Sequence, residues 1–318
     1  MPVSTSGHIS HCVMLILNCA PRSVLDVGCG FGLWGFLCRM YLDVMPERVQ
    51  PRDWKIRVDG LELFEPYIQA HQRALYDSIF IADIREAAPA LECYDLIIAG
   101  DVIEHLDKDD GKTVLRVLYE KARKALLVNI PLGDGWDHGE VHGNPGEVHR
   151  SRWEYEDFVA YPNQFQEFRA PFGARYGVFY CPKDCPKGQR VEGLCRAAEL
   201  ALSRGGIEEA AADLGDAVAL APEDGTVAVQ MADLMLQQRR IEDALAVLER
   251  CVEINPKFHY GKLAAARILS AVHRYSEAES QLESLLLVND LEADLRDQVC
   301  EHLDQIRRRA PISGEGAR

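Results

Sequence analysis

Short apolar runs alternate with helix-like stretches along residues 23–181. Five of the runs predict β-strands, which lie at 23–28, 55–63, 79–82, 95–100 and 125–130. The stretches between and after them predict helices near 32–43, 66–77, 111–123 and 152–160. Strands and helices in alternation are typical of a parallel sheet covered by helices on both faces. We therefore expect an α/β fold in this part of the chain.

Two further β-prone stretches, 164–170 and 175–181, follow without a clear helix between them and predict an antiparallel hairpin. Near the beginning, the apolar run 12–17 is too short to cross a bilayer, and it predicts a buried helix. The composition changes at 181–190, where prolines, a glycine and charged residues follow one another and beyond which no strand pattern appears. We interpret these ten residues as a linker after a first domain, 1–180.

The chain after the linker repeats itself at a period of 34 residues, in the copies 191–224, 225–258 and 259–292. Small residues and a leucine recur in register at three positions of every copy: Ala198, Ala232 and Ala266; Ala210, Ala244 and Ala278; Leu214, Leu248 and Leu282. The small residues let two antiparallel helices approach closely, and the leucine fills their seam. Pro222 and Pro256 end the second helix of two copies, whereas the third has Asp290 there.

These copies resemble three tetratricopeptide repeats. Residues 293–309 predict the polar terminal helix that caps such a solenoid, so the helical domain spans 191–310 and leaves a flexible tail, 311–318. The resemblance implies a concave face that binds a peptide segment, and repeat phase places seven polar residues on it: Glu192, Arg196, Glu199, Gln230, Asp233, Gln237 and Arg267. We predict a protein partner or self-association; the alternative is a packing domain that only stabilises the first one.

Charge and cysteine content narrow the classes of partner and compartment. The 318 residues contain 50 acidic and 35 basic side chains, a formal net charge of −15, which repels phosphate backbones and anionic lipids. We therefore expect no nucleic-acid partner, and we expect no membrane span because no apolar run is long enough to cross a bilayer. Ten cysteines scattered through apolar segments fit reduced thiols, and no Lys or Arg precedes the run 12–17 as a signal peptide would require. Both observations favour a cytoplasmic protein.

The strongest local motif is a strand that runs into a glycine-rich turn, Val24-Leu-Asp-Val-Gly-Cys-Gly-Phe-Gly32. Glycines there allow the backbone to pass close beneath a ligand, and the helix that follows presents free amides. A dinucleotide-binding fingerprint has a third glycine at position 33, where this chain has Leu33. The turn therefore predicts a nucleotide-like ligand other than NAD.

Here the sequence resembles the class I S-adenosylmethionine-dependent methyltransferases, which have a Rossmann-like sheet and whose first motif has the form VLDVGCGFG. Successive strands continue the match with Gly60-Leu-Glu62, Ala82-Asp-Ile84 and Tyr94–Leu106, which contains Asp101 and the pair Glu104-His105. The resemblance implies that Glu62 accepts the cofactor's ribose hydroxyls and that Asp83 lies near its adenine amino group. It implies eight cofactor-binding residues in all, for S-adenosyl-L-methionine: Asp26, Gly28, Cys29, Gly30, Glu62, Asp83, Ile84 and Asp101.

A general base is needed only if the acceptor atom carries a proton. His105 is the first candidate, because it follows the fourth strand near the expected position of the methyl group; packing between sheet and loop is its structural alternative. The glycine-rich loop 134–149 adds His138, His142 and His149. We interpret this loop as a polar lid in which His142, Asn144 or His149 touches the acceptor; an ordinary surface loop is the alternative. Its glycines break any helix and HExxH is absent, so we predict no metal site.

These features together predict a methyltransferase that acts on oxygen or nitrogen of a small-molecule or saccharide-like acceptor, with a helical repeat domain for partner binding. Two alternatives remain open. The first domain could be a catalytically silent scaffold and the repeats an adaptor, or the repeats could recruit a protein substrate for methylation. A nicotinamide oxidoreductase is disfavoured by Leu33.

Overall fold

The computed structural model describes residues 5–136, 139–140, 143–170, 173–289 and 291–309. The chain divides into two compact units, Met1–Pro186 and Lys187–Arg318. In the first unit the elements follow in the order α1 Ile9–Cys19, β1 Ser23–Val27, α2 Leu33–Cys38, β2 Arg57–Glu62, α3 Ala70–Leu75, β3 Ser78–Ile81, α4 Ile84–Ala87, β4 Tyr94–Gly100, α5 Lys108–Lys121, β5 Ala122–Leu132, β6 Gln164–Arg169 and β7 Arg175–Pro182.

The seven strands form one sheet in the order β3-β2-β1-β4-β5-β7-β6. Strands β1 to β5 are parallel, and β7 runs antiparallel to both β5 and β6. The predicted parallel sheet and the predicted final hairpin are therefore confirmed. Because β1 and β4 are central, their carboxyl ends lie in the middle of the edge where parallel sheets bind ligands.

Alternation along the central strands places their side chains in two cores, one on each face of the sheet. Val24, Leu96 and Ile98 pack on one face with Trp34 of α2. On the other face the intervening residues, such as Leu25 and Ile97, pack against α5. Strands buried on both faces read as continuous apolar runs, which is why the sequence identified them.

The helix predicted near 152–160 is wrong, because only a single 3₁₀ turn, Tyr155–Phe158, forms there. Trp153 and Phe158 are both completely buried in the same core, and Phe158 stacks on Phe179 at 3.8 Å between ring centroids. Residues five apart on an α-helix lie about 140° apart around its axis, so a helix could not direct both side chains into that core. Tertiary packing therefore overrides the local pattern.

The segment expected to be a linker, 181–190, is shorter than the composition indicates. Strand β7 continues to Pro182, and Cys181 within it is completely buried. The backbone amide of Lys183 donates to the carbonyl oxygen of Lys124, which extends the strand pairing by one bond. The next helix begins at Lys187, directly after Pro186, a residue that suits the beginning of a helix.

Three helix pairs and a final helix make up the second unit: α6 Lys187–Ser203 with α7 Ile207–Leu220, α8 Gly225–Gln237 with α9 Ile241–Ile254, α10 His259–Ala271 with α11 Tyr275–Leu286, and α12 Ala293–Arg309. The nine recurring alanines and leucines of the 34-residue pattern are all buried, each at most 2% exposed. Val299, Leu303 and Ile306 of α12 join the same core as α10 and α11. The capping helix thus has the predicted bounds.

No helix in the described ranges is long and apolar enough to span a bilayer.

Candidate functional site

A cavity of about 420 Å³ opens at the carboxyl ends of β1, β2 and β4. Seven of the eight residues predicted to bind a cofactor line it: Gly28, Cys29, Gly30, Glu62, Asp83, Ile84 and Asp101. These residues are separated by up to 73 positions in the sequence, and the parallel sheet brings them to one edge. Asp26 is the exception, and His105 lines the same cavity.

The glycine turn forms the floor of the cavity, and its backbone requires glycine at two positions. Gly28 and Gly30 have φ values of +67° and +47°, a region that other residues rarely adopt. A Cβ atom on Gly28 would lie 2.6 Å from Cγ2 of Val102. The amides of Gly28 and Cys29 both donate to the carbonyl oxygen of Leu61, at 2.8 and 3.0 Å, so the turn is held against the end of β2.

Glu62 is the last residue of β2 and lines the cavity wall, where it is 6% exposed. Its Oε2 accepts from the Gly30 amide at 2.9 Å, and its Oε1 accepts from the Phe64 amide at 2.8 Å. Burial raises the pKa of Glu62, although these two amides partly oppose the shift. Each carboxylate oxygen has a second lone pair, so Glu62 can still accept two hydroxyl groups from a ligand.

Asp26, which was predicted to bind the cofactor, lies beneath the turn instead of on the cavity wall. It is completely buried, and the Tyr76 hydroxyl donates to its Oδ2 at 2.6 Å. Its Oδ1 has no hydrogen-bond partner among the described residues. Burial raises the pKa of Asp26 to about 7. The Gly35 amide donates to the same Tyr76 hydroxyl at 3.2 Å, so this pair joins β1 to α2.

Asp83 and Ile84 line the cavity after β3, but the carboxylate of Asp83 already has an ionic partner. It caps α4 by accepting from the Arg85 amide at 2.9 Å, and its Oδ2 pairs with the Arg85 guanidinium at 2.6 Å. The hydrogen bonds from Arg85 hold the pKa of Asp83 below its ordinary value. Sequence reasoning missed Arg85, since its position two residues after a predicted site acid is the only local signal.

Asp101 follows β4 in a backbone conformation that L-residues rarely adopt, with φ +54°. Its amide donates to the carbonyl oxygen of Asn129 at 2.9 Å, and its Oδ1 accepts from the Tyr176 hydroxyl at 2.7 Å. Strands β5 and β7 therefore both orient this acid. Backbone strain of this kind costs about 1–3 kcal/mol and persists where the surrounding structure enforces it.

The predicted histidines have different outcomes. His105 and His149 face each other with ring centroids 4.8 Å apart, although 43 residues separate them. The structure thus brings together two of the three candidate catalytic histidines, with Glu104 beside them. His142 and His138 lie outside the described residues.

Part of the loop 134–149 reaches the cavity. Asn144 and Glu147 line it, and the Tyr67 hydroxyl donates to Oε1 of Glu147 at 3.0 Å. Sequence reasoning included Asn144 but missed Glu147 and Tyr67, because nothing local distinguishes a loop acid that meets a tyrosine 80 residues away.

Comparisons with known proteins found similarities to both halves of the chain. The tetratricopeptide repeat family matches residues 201–266. The methyltransferase domain of bacterial CtHen1 is 18% identical, with 54% of this chain and 96% of that chain covered and a TM-score of 0.37. Magnesium protoporphyrin IX methyltransferase of Synechocystis PCC 6803 is 15% identical over 55% and 76% of the two chains, with a TM-score of 0.39.

The second tetratricopeptide domain of human RPAP3 is 13% identical over 38% of this chain and 98% of that chain, with a TM-score of 0.32. No curated protein matches the sequence. The fold class is the one expected from the sequence: a seven-stranded mixed α/β sheet, followed by an all-helical region in which residues 201–266 match the tetratricopeptide repeat family.

Proposed function

We propose that the first unit binds S-adenosyl-L-methionine in the 420 Å³ cavity and transfers its methyl group to oxygen or nitrogen of a small-molecule or saccharide-like acceptor. The observation that carries this proposal is the pairing of Glu62 with the glycine turn. A buried carboxylate that is held by Gly30 and retains free lone pairs is suited to accept two ribose hydroxyls. The backbone of Gly28 leaves the room that a nucleoside needs beside it.

The charges around the cavity fit the same ligand. Four carboxylates line it, Glu62, Asp83, Asp101 and Glu147, against two guanidinium groups, Arg85 and Arg150. When bound, the cofactor supplies a methyl group on a positively charged sulfonium, which favours an acidic wall. Apolar side chains such as Ile84 and Leu61 supply a surface for a base. Asp26 acts indirectly, through the position of the turn above it.

The acceptor end of the cavity lies beyond Asp101, where His105 lines the wall and His149 packs against it. Holding both reactants in line accounts for much of the rate of a displacement, so positioning is the main task of these residues. A hydroxyl or ammonium acceptor must also lose a proton, and His105 and His149 are the groups that we assign to this step.

For the second unit we propose a protein partner bound along the first helices of the repeats. Hydrogen bonds join neighbouring helices on the predicted concave face, through residues that the 34-residue repeat placed there. Gln230 of α8 donates to Glu199 of α6 at 3.5 Å, and Arg267 of α10 donates to Gln298 of α12 at 3.0 Å. A catalytically silent adaptor would use this face alone; the acids of the cavity favour an enzyme instead.

Calorimetric titration of the full chain with S-adenosylmethionine, S-adenosylhomocysteine and NAD tests the proposal. We expect both sulfur ligands to bind and NAD not to bind. Glu62→Ala should weaken binding of the sulfur ligands by about 1–3 kcal/mol, because ribose hydroxyls lose their acceptor. Glu65→Gln, an exposed acid three residues further along, is the matched control and should bind as the wild type does.

Thermal unfolding of Glu62→Ala separates a lost ligand contact from a lost fold, since Gly30 and Phe64 also lose an acceptor. A wild-type chain that binds neither sulfur ligand would overturn the proposal. Binding of NAD in their place would favour the oxidoreductase.

A further inference from the structure

The outer face of α2 is apolar although it is open to solvent. Helix α2 continues directly into a π-helix, Arg39–Val44, in which the amide of Met45 donates to the carbonyl oxygen of Met40 at 2.8 Å. Residues four apart on an α-helix, and five apart on a π-helix, lie on one face. Four exposed apolar side chains share this outer face and form what we call the apolar stripe: Phe36, Met40, Tyr41 and Met45.

The charged side chains of the same segment point inward. Arg39 and Asp43 are the only charged residues in 31–46, a range that the structure describes completely, and they are 2% and 0% exposed. Arg39 pairs with Asp43 at 3.1 Å and with Asp77 at 2.8 Å, and Asp43 also pairs with Arg48 at 2.9 Å. An ordinary surface helix turns its charged side chains to water. This one keeps its charges inside and leaves the apolar stripe outside.

The inward contacts fix the orientation of the segment. The Nε of Arg39 donates to the carbonyl oxygen of Leu75 at 2.7 Å, and its guanidinium lies 4.3 Å from the ring centroid of Trp54. The amide of Lys55 donates to Oδ1 of Asp43 at 2.9 Å. Turning the helix to hide the apolar stripe would leave these buried charges without partners, which is costly. The stripe therefore stays at the surface of the first unit.

Helix α1 extends the uncharged surface. It packs on the same core as α2, through residues such as Cys12 and Ile16. None of its residues, Ile9–Cys19, is Asp, Glu, Lys or Arg, and Met14 is 55% exposed. At ~200 Å² for a side chain of this size, Met14 and the apolar stripe leave roughly 500 Å² of surface open. This is large for a soluble monomer, whose largest apolar patch covers about 300–600 Å² and often binds a partner.

The chemistry of this surface restricts what can cover it. A surface without exposed Lys or Arg offers nothing to a phosphate backbone or to anionic lipid headgroups. A basic partner would be held by acidic side chains, and the apolar stripe contains none. An acidic partner, in contrast, meets no like charge there. A second copy of this chain, with its formal net charge of −15, is such a partner.

The area and the symmetry also suit a second copy. A dimer with a two-fold axis presents the same surface from both copies, so no other complementary surface is required. Two copies that pack stripe against stripe would bury roughly 1,000 Å² in all, at the lower limit for a specific interface. Flexible methionine side chains can adapt to each other across such a contact. A small apolar interface between two acidic chains predicts a weak, reversible dimer.

We propose that the apolar stripe, together with Met14, joins two copies of this chain in a symmetric dimer whose dissociation constant lies in the micromolar range. Neither Met14 nor any residue of the stripe lines the 420 Å³ cavity. The dimer therefore does not depend on the proposed methyl transfer, and either proposal can fail without the other.

Sedimentation velocity of the full chain, in a concentration series from about 1 to about 200 µM, tests the dimer. We expect a reversible equilibrium between monomer and dimer for the wild type. Phe36→Glu and Met40→Glu should each raise the dissociation constant at least ~10-fold, because a carboxylate from each copy would enter the apolar contact. Phe80→Glu is the matched control, since Phe80 is 41% exposed in the same unit but lies on β3, outside the stripe. It should dimerise as the wild type does.

The salt dependence gives a second readout. Raising NaCl from about 50 to about 300 mM should leave the dimer as strong or make it stronger, because salt screens the repulsion between two acidic chains. A dimer that dissociates as salt is added would be held by ion pairs, and this result would overturn the assignment to the apolar stripe.

Thermal unfolding reports whether each stripe variant is folded, and if one of them is not, the other decides. The proposal is overturned if the wild type stays monomeric through the whole series, or if the folded stripe variants dimerise as the wild type does. Equal weakening by Phe80→Glu would overturn it as well, because the contact would then not be specific to the stripe. A monomeric wild type whose stripe variants unfold at lower temperature would assign the stripe to a contact within one chain.

Discussion

At the residue scale, the site depends on acids whose surroundings differ although their local sequences look alike. Glu62 is held by two backbone amides, Asp83 by the Arg85 guanidinium, and Asp101 by the Tyr176 hydroxyl. Asp26 accepts from the Tyr76 hydroxyl, and its other carboxylate oxygen has no hydrogen-bond partner within the described structure. We therefore propose different tasks for the four: ligand contact for the first three, and support of the turn for Asp26.

Asp26 makes the stability of the first unit depend on pH. Its pKa is about 7 in the folded chain, against an ordinary value of 3.8. Between these values the unfolded chain releases the proton while the folded chain keeps it, so stability falls as pH rises from about 4 to 7. Asp26→Asn cannot ionise, and the free energy of unfolding of the wild type relative to this variant should fall by up to roughly 4 kcal/mol over that range.

Denaturant unfolding of the wild type and Asp26→Asn at the two ends of this pH range measures the difference. Asp53→Asn, at an exposed position of the same unit, serves as the control and should follow the wild type at both ends. Parallel pH profiles for the wild type and Asp26→Asn would contradict the assignment.

At the element scale, the repeats hold together through small residues where paired helices meet. Ala210, Ala244 and Ala278 occupy the same position of α7, α9 and α11, and all three are completely buried. The leucine four residues later is buried in each helix as well. A periodic local pattern of this kind translates directly into packing, because each repeat contacts only its neighbours.

Ala244→Leu should therefore destabilise the second unit by about 1–3 kcal/mol, since three added carbons have no room between α8 and α9. Ala246→Leu is the matched control, because it makes the same change two residues away at an exposed position of α9. Chemical unfolding followed by circular dichroism compares the two variants. Equal stability of both would show that the seam accepts larger residues.

At the scale of the whole molecule, the cavity that we assign to the cofactor is built entirely by the first unit, and the net charge of −15 is carried by both halves of the sequence. The cavity wall comes from the ends of β1 to β4 and from the loop after β5. Ligand binding there should stabilise the residues that it contacts in proportion to its affinity.

Hydrogen exchange of the full chain with and without S-adenosylhomocysteine tests this assignment. We expect slower exchange at 27–34, 61–64, 82–85 and 100–106, which contain the cavity residues of the strand ends. Residues 187–309 should exchange at the same rate with and without the ligand. Protection concentrated in the repeats would contradict the placement of the ligand site.

The sequence by itself determined the strands, the final hairpin, the three repeats and the capping helix, because these follow from local periodicity. It also indicated that Gly28, Gly30 and Glu62 lie near a ligand, because ligands bind at the carboxyl ends of the strands of a parallel sheet. Only the tertiary structure decided what depends on distant partners: the unwound segment around Trp153, the burial of Asp26 under Tyr76, and the meeting of Glu104 with His149. Such contacts are made by loop closure and core packing, which a local pattern does not record.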